Sequence, residues 1–229
     1  MHTQRGRFQA DIRKEYPMTS NDTVNELQQL AQAERWAELS SRAEEIALFN
    51  TRLLFIAALE LAARERNEEA SAAADNLNAP MASLINALIE GNIDDIMISN
   101  DRSSIADAWI SLVDPVVSRS SESAALQFAL LAPIVADDNS RRTAAAVFYN
   151  NNLWQAAAQI LGTISANSPV ADSDFFKALG ISLYRSADYV NAATSLMTAA
   201  ERGDTSLETM SYLTWLEEKL AIAEETAHE

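Results

Sequence analysis

The segment from Arg142 to Ile164 reads RTAAAVFYNNNLWQAAAQILGTI, and segment 177–199, KALGISLYRSADYVNAATSLMTA, repeats its pattern at a constant offset of 35 residues. Large and small side chains recur at the same places in both segments. An internal repeat of this length is typical of stacked two-helix units. The residue pairs related by the offset are Phe148 and Leu183, Tyr149 and Tyr184, Trp154 and Tyr189, Ala157 and Ala192, Leu161 and Leu196, and Ile164 and Ala199.

Apolar residues recur at helical spacing along nearly the whole chain, and the breaks between helices are short. Short connections make successive helices antiparallel neighbours. Only five Gly and five Pro are present, which disfavours a turn-rich sheet protein. Pro115 and Pro133 are predicted to end or kink their helices. The sequence predicts an all-α fold with helices at 22–33, 35–48, 50–65, 67–77, 81–90, 102–113, 121–135, 140–150, 153–165, 173–186, 188–202 and 206–225.

Small residues in the repeated segments indicate close helix packing. Ala157 and Ala192 stand where two helices of a hairpin approach to about 8–10 Å, with larger side chains beside them. A single hairpin does not bury its apolar stripe, so several must stack into one core, closed by a capping helix with a more polar outer face. The last helix is predicted to bury a stripe of Leu207, Met210, Leu213, Leu216 and Leu220.

The second repeated segment resembles a tetratricopeptide repeat, a two-helix unit of about 34 residues. The resemblance implies a right-handed stack of antiparallel helical hairpins, an α-solenoid. Segment 33–46 looks like another second helix of the family, with Trp36 in its aromatic position. The clearest matches are Phe176, Leu179 and Gly180 in the first helix and Tyr189, Ala192, Leu196 and Ala199 in the second.

The sequence departs from the family pattern at several positions. Ala145 stands where the earlier segment should have Gly, Leu183 where a Tyr is usual, and Leu39 where segment 33–46 should have a small residue. No convincing repeat can be placed between residues 50 and 135. The resemblance is clearest over 142–225.

Three regions are predicted. Residues 1–19 form a leader, which we expect to be disordered; its first 17 residues carry Arg5, Arg7, Arg13 and Lys14 against Asp11 and Glu15. A basic interaction arm, or translation starting at Met18, is the alternative. Residues 20–135 are predicted to form diverged helical hairpins, and 136–229 tetratricopeptide-like repeats with the capping helix.

The charge balance limits the classes of partner. With 17 Lys and Arg against 33 Asp and Glu, the chain has a net charge of −16, so nucleic acids and anionic membranes are poor partners. A basic or amphipathic protein or peptide segment is the better expectation. No apolar run reaches the length of a spanning helix, and the leader lacks the apolar core of a secretory signal. We therefore expect a soluble, cytoplasmic protein without membrane insertion.

Catalytic and metal-binding residues are scarce. The chain has no Cys, and its two histidines, His2 and His228, lie in the end segments. No Cys/His spacing or Glu-x-x-His pair is present, nor a Gly-x-Ser-x-Gly turn or phosphate-binding glycine loop. The sequence predicts no catalytic residue, no metal and no cofactor.

The resemblance also implies a binding surface, because the first helices of such repeats line a concave groove. Ile181 and Ala146 stand where a known carboxylate clamp of the family needs Asn, so we expect no such clamp. Tyr184 and Trp215 could instead be hairpin core, and Arg142 and Lys177 solvated helix ends. Carried over position by position, the predicted groove residues are Arg142, Tyr149, Asn150, Lys177, Tyr184, Arg185, Trp215 and Lys219.

The function expected from these observations is a non-enzymatic, tetratricopeptide-like scaffold or adaptor that binds a partner segment in its groove. A dedicated acidic chaperone for a secreted or assembling client is an alternative within the same class, and a structural subunit is another. A helical small-ligand binder or enzyme is the alternative from a different class, and it would require a deep enclosed pocket. The oligomeric state is left open.

Overall fold

The computed structural model describes residues 21–48, 50–91 and 101–227, with side chains described in 25–48, 50–91 and 101–221. Every regular element in these ranges is a helix, which confirms the all-α prediction. The predicted leader, 1–19, lies outside the described residues. The helices are α1 (Asn21–Gln32), α2 (Trp36–Ser40), α3 (Ala43–Ala47), α4 (Thr51–Ala63), α5 (Asn67–Ala74), α6 (Ala79–Glu90), α7 (Arg102–Arg119), α8 (Glu122–Leu130), α9 (Ala132–Val135), α10 (Asp138–Asn150), α11 (Trp154–Leu161), α12 (Ser173–Arg185), α13 (Tyr189–Glu201) and α14 (Leu207–Ala227).

Local sequence fixes where many of these helices begin. At six starts the side-chain oxygen of an Asn, Ser or Asp accepts a hydrogen bond from the backbone N–H three residues later. This contact satisfies a backbone donor that has no partner within the helix. The capping residues are Asn50 for α4, Asn78 for α6, Ser121 for α8, Asp137 for α10, Asp172 for α12 and Asp188 for α13.

Four helix pairs are joined by the same turn. Each joint has three residues, and the middle one is left-handed, with φ of 53° at Glu34, 60° at Glu65, 62° at Asn152 and 64° at Ala187. The backbone N–H of the residue after it donates a hydrogen bond to the carbonyl five residues earlier, as in the Schellman motif at the carboxyl ends of helices. These bonds are Arg35 to Leu30 (2.9 Å), Arg66 to Leu61 (2.9 Å), Leu153 to Phe148 (3.0 Å) and Asp188 to Leu183 (2.9 Å). The α4–α5 joint has this geometry although the sequence shows no repeat there.

The amino-terminal half is organised around α4. All nine residues from Leu53 to Leu61 are buried, and α4 contacts α2, α3, α5, α6, α7 and α8. A helix that is apolar on all sides is expected to be enclosed by others. The apolar segment from Leu53 to Leu61 is therefore the centre of this half.

The carboxyl-terminal half is more regular. From α10 to α14 each helix contacts the next, and α10 also contacts α12, while α12 contacts α14. The first helices of successive pairs therefore lie side by side. Most buried apolar residues form one core, and a smaller cluster lies between α12, α13 and α14, where Ile181, Ala192 and Leu196 meet Tyr212 and Leu216.

Gly180 is where α12 comes closest to α13. A Cβ at this position would lie 2.5 Å from Cγ of the buried Leu196 and 3.1 Å from its backbone nitrogen. The equivalent residue in the previous pair is Ala145, which is buried and does carry a Cβ. The α12–α13 contact therefore has a specific requirement for glycine.

We expect Gly180→Ala to lower the free energy of unfolding by about 1–3 kcal/mol, because the added methyl overpacks against Leu196. Helix propensity alone predicts the opposite sign, since Ala in a helix interior is favoured over Gly by about 0.5–1 kcal/mol. Urea unfolding measures the difference in the free energy of unfolding. The control is Ala146→Gly on the exposed face of α10, which measures the effect of helix propensity without a packing contact. A Gly180→Ala variant more stable than the wild type would show that the two helices are not in tight contact.

Several helix predictions need correction. The helix predicted to end at 113 continues through Pro115 to Arg119, with buried Val113 and Val116 on either side of the proline. The single helices predicted at 35–48 and 121–135 are each two short helices. Pro133 lies in the first turn of α9, where a missing N–H is tolerated.

The predicted apolar stripe of the last helix is right at Leu213 and Leu216, which pack against the cluster between α12 and α13, and wrong at Leu207 and Met210. Leu207 is 84% exposed and Met210 is exposed as well, whereas Thr209, Tyr212 and Leu216 are buried. Tyr212 and Leu216 face the cluster between α12 and α13, and the Thr209 hydroxyl donates to the Asp204 carboxylate at 2.5 Å. Contact with these neighbours selects the buried face of α14.

Candidate protein-binding face

Aromatic side chains from α12, α13 and α14 meet around Tyr184. Its ring centroid lies 5.0 Å from that of Tyr212, 5.6 Å from that of Tyr189 and 6.3 Å from that of Trp215. Tyr212 and Trp215 are in edge contact at 5.1 Å. Tyr212 is buried beneath the others, while Trp215 keeps 46% of its surface exposed. The cluster is thus anchored in the core and open to solvent at Trp215.

Arg185 connects this cluster to a second aromatic pair. Tyr149 and Trp154 are in edge contact at 5.0 Å. The guanidinium carbon of Arg185 lies 5.7 Å from the Trp154 ring centroid and 5.9 Å from that of Tyr212, and its Nη2 donates to the Tyr212 hydroxyl at 3.0 Å. Such cation–π contacts restrict the guanidinium to a few orientations. We call this set, Tyr149, Trp154, Tyr184, Arg185, Tyr212 and Trp215, the aromatic face.

Arg185 of the aromatic face and Lys177 beside it differ in their partners. The Lys177 ammonium lies 2.9 Å from the Glu208 carboxylate and donates to the Ser206 hydroxyl at 3.3 Å. The hydrogen bond to Glu208 raises the pKa of Lys177 above its ordinary value. Arg185, in contrast, forms no ion pair with any side chain that the structure describes. In a chain of net charge −16, Arg185 is therefore a cation that contacts no carboxylate among the described side chains.

Tyr149 is half-buried at the inner edge of the aromatic face. Burial, together with the negative charge of Glu208, raises the pKa of its phenol above the ordinary value. Tyr149 therefore keeps its proton and stays a neutral hydrogen-bonding group at neutral pH.

Arg142, which was predicted to line the groove, instead binds the loop that precedes α12. Its guanidinium donates to the Val170 carbonyl at 2.7 Å and to the Asp172 carboxylate at 2.9 Å. Although partial burial acts in the opposite direction, the hydrogen bond from Arg142 helps to lower the pKa of Asp172. Asp172 caps α12, so Arg142 fixes the start of that helix.

The structure brings four of the predicted groove residues together in the aromatic face, namely Tyr149, Tyr184, Arg185 and Trp215. Lys177 stands beside them in its ion pair with Glu208. Asn150 and Lys219 are exposed on α10 and α14, and among the described side chains neither has a hydrogen bond or ion pair with the aromatic face. Arg142 is engaged at the loop before α12.

Sequence reasoning missed two members of the aromatic face. Trp154 was interpreted only as a hairpin residue, although it lies under Arg185. Tyr212 was missed because the predicted stripe of α14 passed through its neighbours. The spacing of Thr209, Tyr212 and Leu216, three and then four residues, is an equally good helical pattern and would have identified it.

A cleft of about 590 Å³ lies between α1, the start of α4 and the α7–α8 junction. Glu60 lines it with only 1% of its side chain exposed, but its carboxylate is already bound. One oxygen accepts from the Ser121 backbone N–H at 2.5 Å, and the other accepts from the Ser121 hydroxyl at 3.0 Å and lies 3.2 Å from the Arg64 guanidinium. These contacts tie α8 to α4, which gives Glu60 a structural role.

Residues 21–48, 50–91 and 101–227 contain no group of three His, Cys, Asp or Glu that could hold a metal ion. No helix in the same part of the chain combines the length and apolar character needed to cross a membrane.

Comparison with protein-family models gives no match to this chain, and comparisons with curated proteins and with solved structures give no match either. The tetratricopeptide resemblance therefore depends only on the residues named above.

Proposed function

We propose that this protein is a non-catalytic interaction scaffold or adaptor that binds a segment of a partner protein across the aromatic face. The proposal includes the right-handed, tetratricopeptide-like stack of hairpins, in which α10, α12 and α14 would line the concave side. The expected partner segment is basic or amphipathic, because Asp and Glu outnumber Lys and Arg in this chain by 33 to 17.

One observation carries the proposal. Trp215, which is 46% exposed, and Arg185, which has no ion pair among the described side chains, both contact Tyr212 in one cluster. This cluster lies on the surface of a strongly acidic chain. Trp, Tyr and Arg are the residue types that contribute most to binding at protein interfaces. Trp215 packs on Tyr212 and Tyr184 from one side and leaves the rest of its ring free to contact a partner.

The chemistry of the face suggests how a segment would bind. Trp215 and Tyr184 offer flat apolar surface for an aliphatic or aromatic side chain, which would remove further area from water. Arg185 is already oriented by Trp154 and Tyr212, so it loses little freedom when it donates to a backbone carbonyl or a carboxylate of the partner. The aromatic residues would supply affinity, and the guanidinium would fix the direction of the bound segment.

The proposal is tested by selecting binders from a displayed library of random peptides on the purified full-length protein. Peptides selected on the wild type should bind the Trp215→Ala and Arg185→Ala variants about tenfold more weakly, as expected for hot-spot residues. Isothermal titration calorimetry on individual synthetic peptides gives the affinities.

The control is Met197→Ala, which shortens a side chain of similar exposure on α13, outside the aromatic face. The affinity of Met197→Ala for the selected peptides should equal that of the wild type. Circular dichroism should show that Trp215→Ala, Arg185→Ala and Met197→Ala all stay folded. Selected peptides that bind Trp215→Ala and Arg185→Ala as tightly as the wild type would place binding elsewhere and contradict the proposal.

A further inference from the structure

A second cleft, separate from the aromatic face, opens between α7 and α10 and has a volume of about 330 Å³. Its apolar wall is formed by Ile110 and Val113 of α7 and Val147 of α10. Ile110 is 46% exposed, a large fraction for an isoleucine beside a cleft. Ile110 therefore presents aliphatic surface that the protein itself leaves uncovered, Val147 is partly exposed beside it, and Val113 is buried.

Two carboxylates line the same cleft, one from each side. Asp114 follows Val113 on α7, and Asp137 caps the start of α10. One oxygen of Asp137 accepts the Ser140 backbone N–H at 2.7 Å, and this hydrogen bond lowers the pKa of the carboxyl group. Both aspartates are exposed, and neither forms an ion pair with a side chain in the described ranges.

The combination of aliphatic wall and carboxylates restricts what can occupy the cleft. A purely apolar side chain would cover the carboxylates without giving them a partner, which is unfavourable. An acidic group would be repelled by both of them. A long basic side chain satisfies both surfaces, because its methylene stem lies against apolar residues while its charged end stays near the carboxylates.

We propose that this cleft receives an arginine side chain from a partner protein, with the stem against Ile110 and Val147 and the guanidinium beside Asp114 and Asp137. Guanidinium carries five N–H donors in a planar arrangement, so it can serve carboxylates on two different helices. The inference does not depend on the proposed function, because no residue of the cleft belongs to the aromatic face.

The test uses a blocked pentapeptide, acetyl-Gly-Ala-Arg-Ala-Gly-amide, titrated into full-length protein with labelled Ile and Val methyl groups and followed by nuclear magnetic resonance. The matched peptide has citrulline, which is nearly isosteric with arginine but uncharged. The arginine peptide should shift the methyl signals of Ile110, Val113 and Val147 saturably, and the citrulline peptide should bind at least about tenfold more weakly, since a tenfold change corresponds to about 1.4 kcal/mol.

Variants separate the cleft from general electrostatic attraction. Asp114→Asn with Asp137→Asn removes both charges, and Asn still caps a helix well. This double variant should lose about tenfold in affinity for the arginine peptide, a loss within the range of hydrogen bonds to charged groups. Asp174→Asn with Glu201→Gln changes the net charge equally at exposed positions on α12 and α13 and should leave the affinity unchanged.

Three results would overturn the inference. These are methyl shifts absent from the three cleft residues, equal binding of the citrulline peptide, and an equal loss of affinity in the Asp174 and Glu201 control. None of them bears on the aromatic face, whose test depends on Trp215 and Arg185.

Discussion

Trp109→Ala is expected to lower the free energy of unfolding by about 3–5 kcal/mol, the largest effect of any single substitution considered for this protein. Trp109 is fully buried, and its ring is stacked on that of Phe128 with centroids 5.3 Å apart. Phe128 in turn meets the edge of Phe55 at 6.0 Å. Removing the indole therefore leaves a cavity where α4, α7 and α8 meet.

The indole also has a polar role, because its Nε1 donates to the Phe128 carbonyl at 3.2 Å. Trp109→Phe keeps much of the apolar contact but removes this hydrogen bond. It should therefore lower the free energy of unfolding by less than Trp109→Ala does, and this smaller change can be measured even if Trp109→Ala does not fold. Chemical denaturation followed by circular dichroism gives both values. Trp215→Ala, at an exposed tryptophan, is the control and should lose far less; similar losses at Trp109 and Trp215 would contradict the packing described.

Glu60→Ala is expected to lower the free energy of unfolding by about 3 kcal/mol. The carboxylate is 1% exposed and accepts both the N–H and the hydroxyl of Ser121 while pairing with Arg64. Its removal leaves these donors without their acceptor at the start of α8. Because Arg64 is itself 39% exposed, water can replace part of its lost interaction, which keeps the expected cost at the lower end for buried ion pairs.

Two comparisons make the Glu60 prediction specific. Glu60→Gln keeps the volume and one acceptor oxygen, so it should lose less stability than Glu60→Ala. Glu38→Ala removes the exposed pair with Arg35, whose side chains are about half exposed, and should change stability by no more than about 1 kcal/mol. Thermal unfolding of the three variants checks the order, and a Glu60→Ala loss as small as that of Glu38→Ala would mean that the contact with Ser121 is not stabilising.

The carboxyl-terminal hairpins were largely predictable from the sequence, because the features that form them are local. Ala192 and Leu196 lie on one helical face, and Gly180 provides the space for Leu196. Tyr149 and Tyr184 occupy equivalent positions on α10 and α12, two helices that contact each other. The convergence of aromatic residues at this surface follows from that spacing.

The amino-terminal half was less predictable for physical reasons. Helix α4 is buried on every side, so its apolar pattern has no preferred face from which its neighbours could be inferred. The partner of Glu60, Ser121, is 61 residues away in sequence, beyond the reach of any local pattern. Pro115 is accommodated within α7 by packing of Val113 and Val116, and local propensity does not include such contacts.

The recurring left-handed joints also bear on how the chain is made. At Glu34, Glu65, Asn152 and Ala187 each joint is closed by a hydrogen bond that spans only five residues, so its formation needs no distant part of the protein. Contacts between residues near in sequence form fastest. In a nascent chain leaving the ribosome, the turn at Glu34 can therefore form before the residues of the aromatic face have been translated, whereas burial of its helices awaits α4.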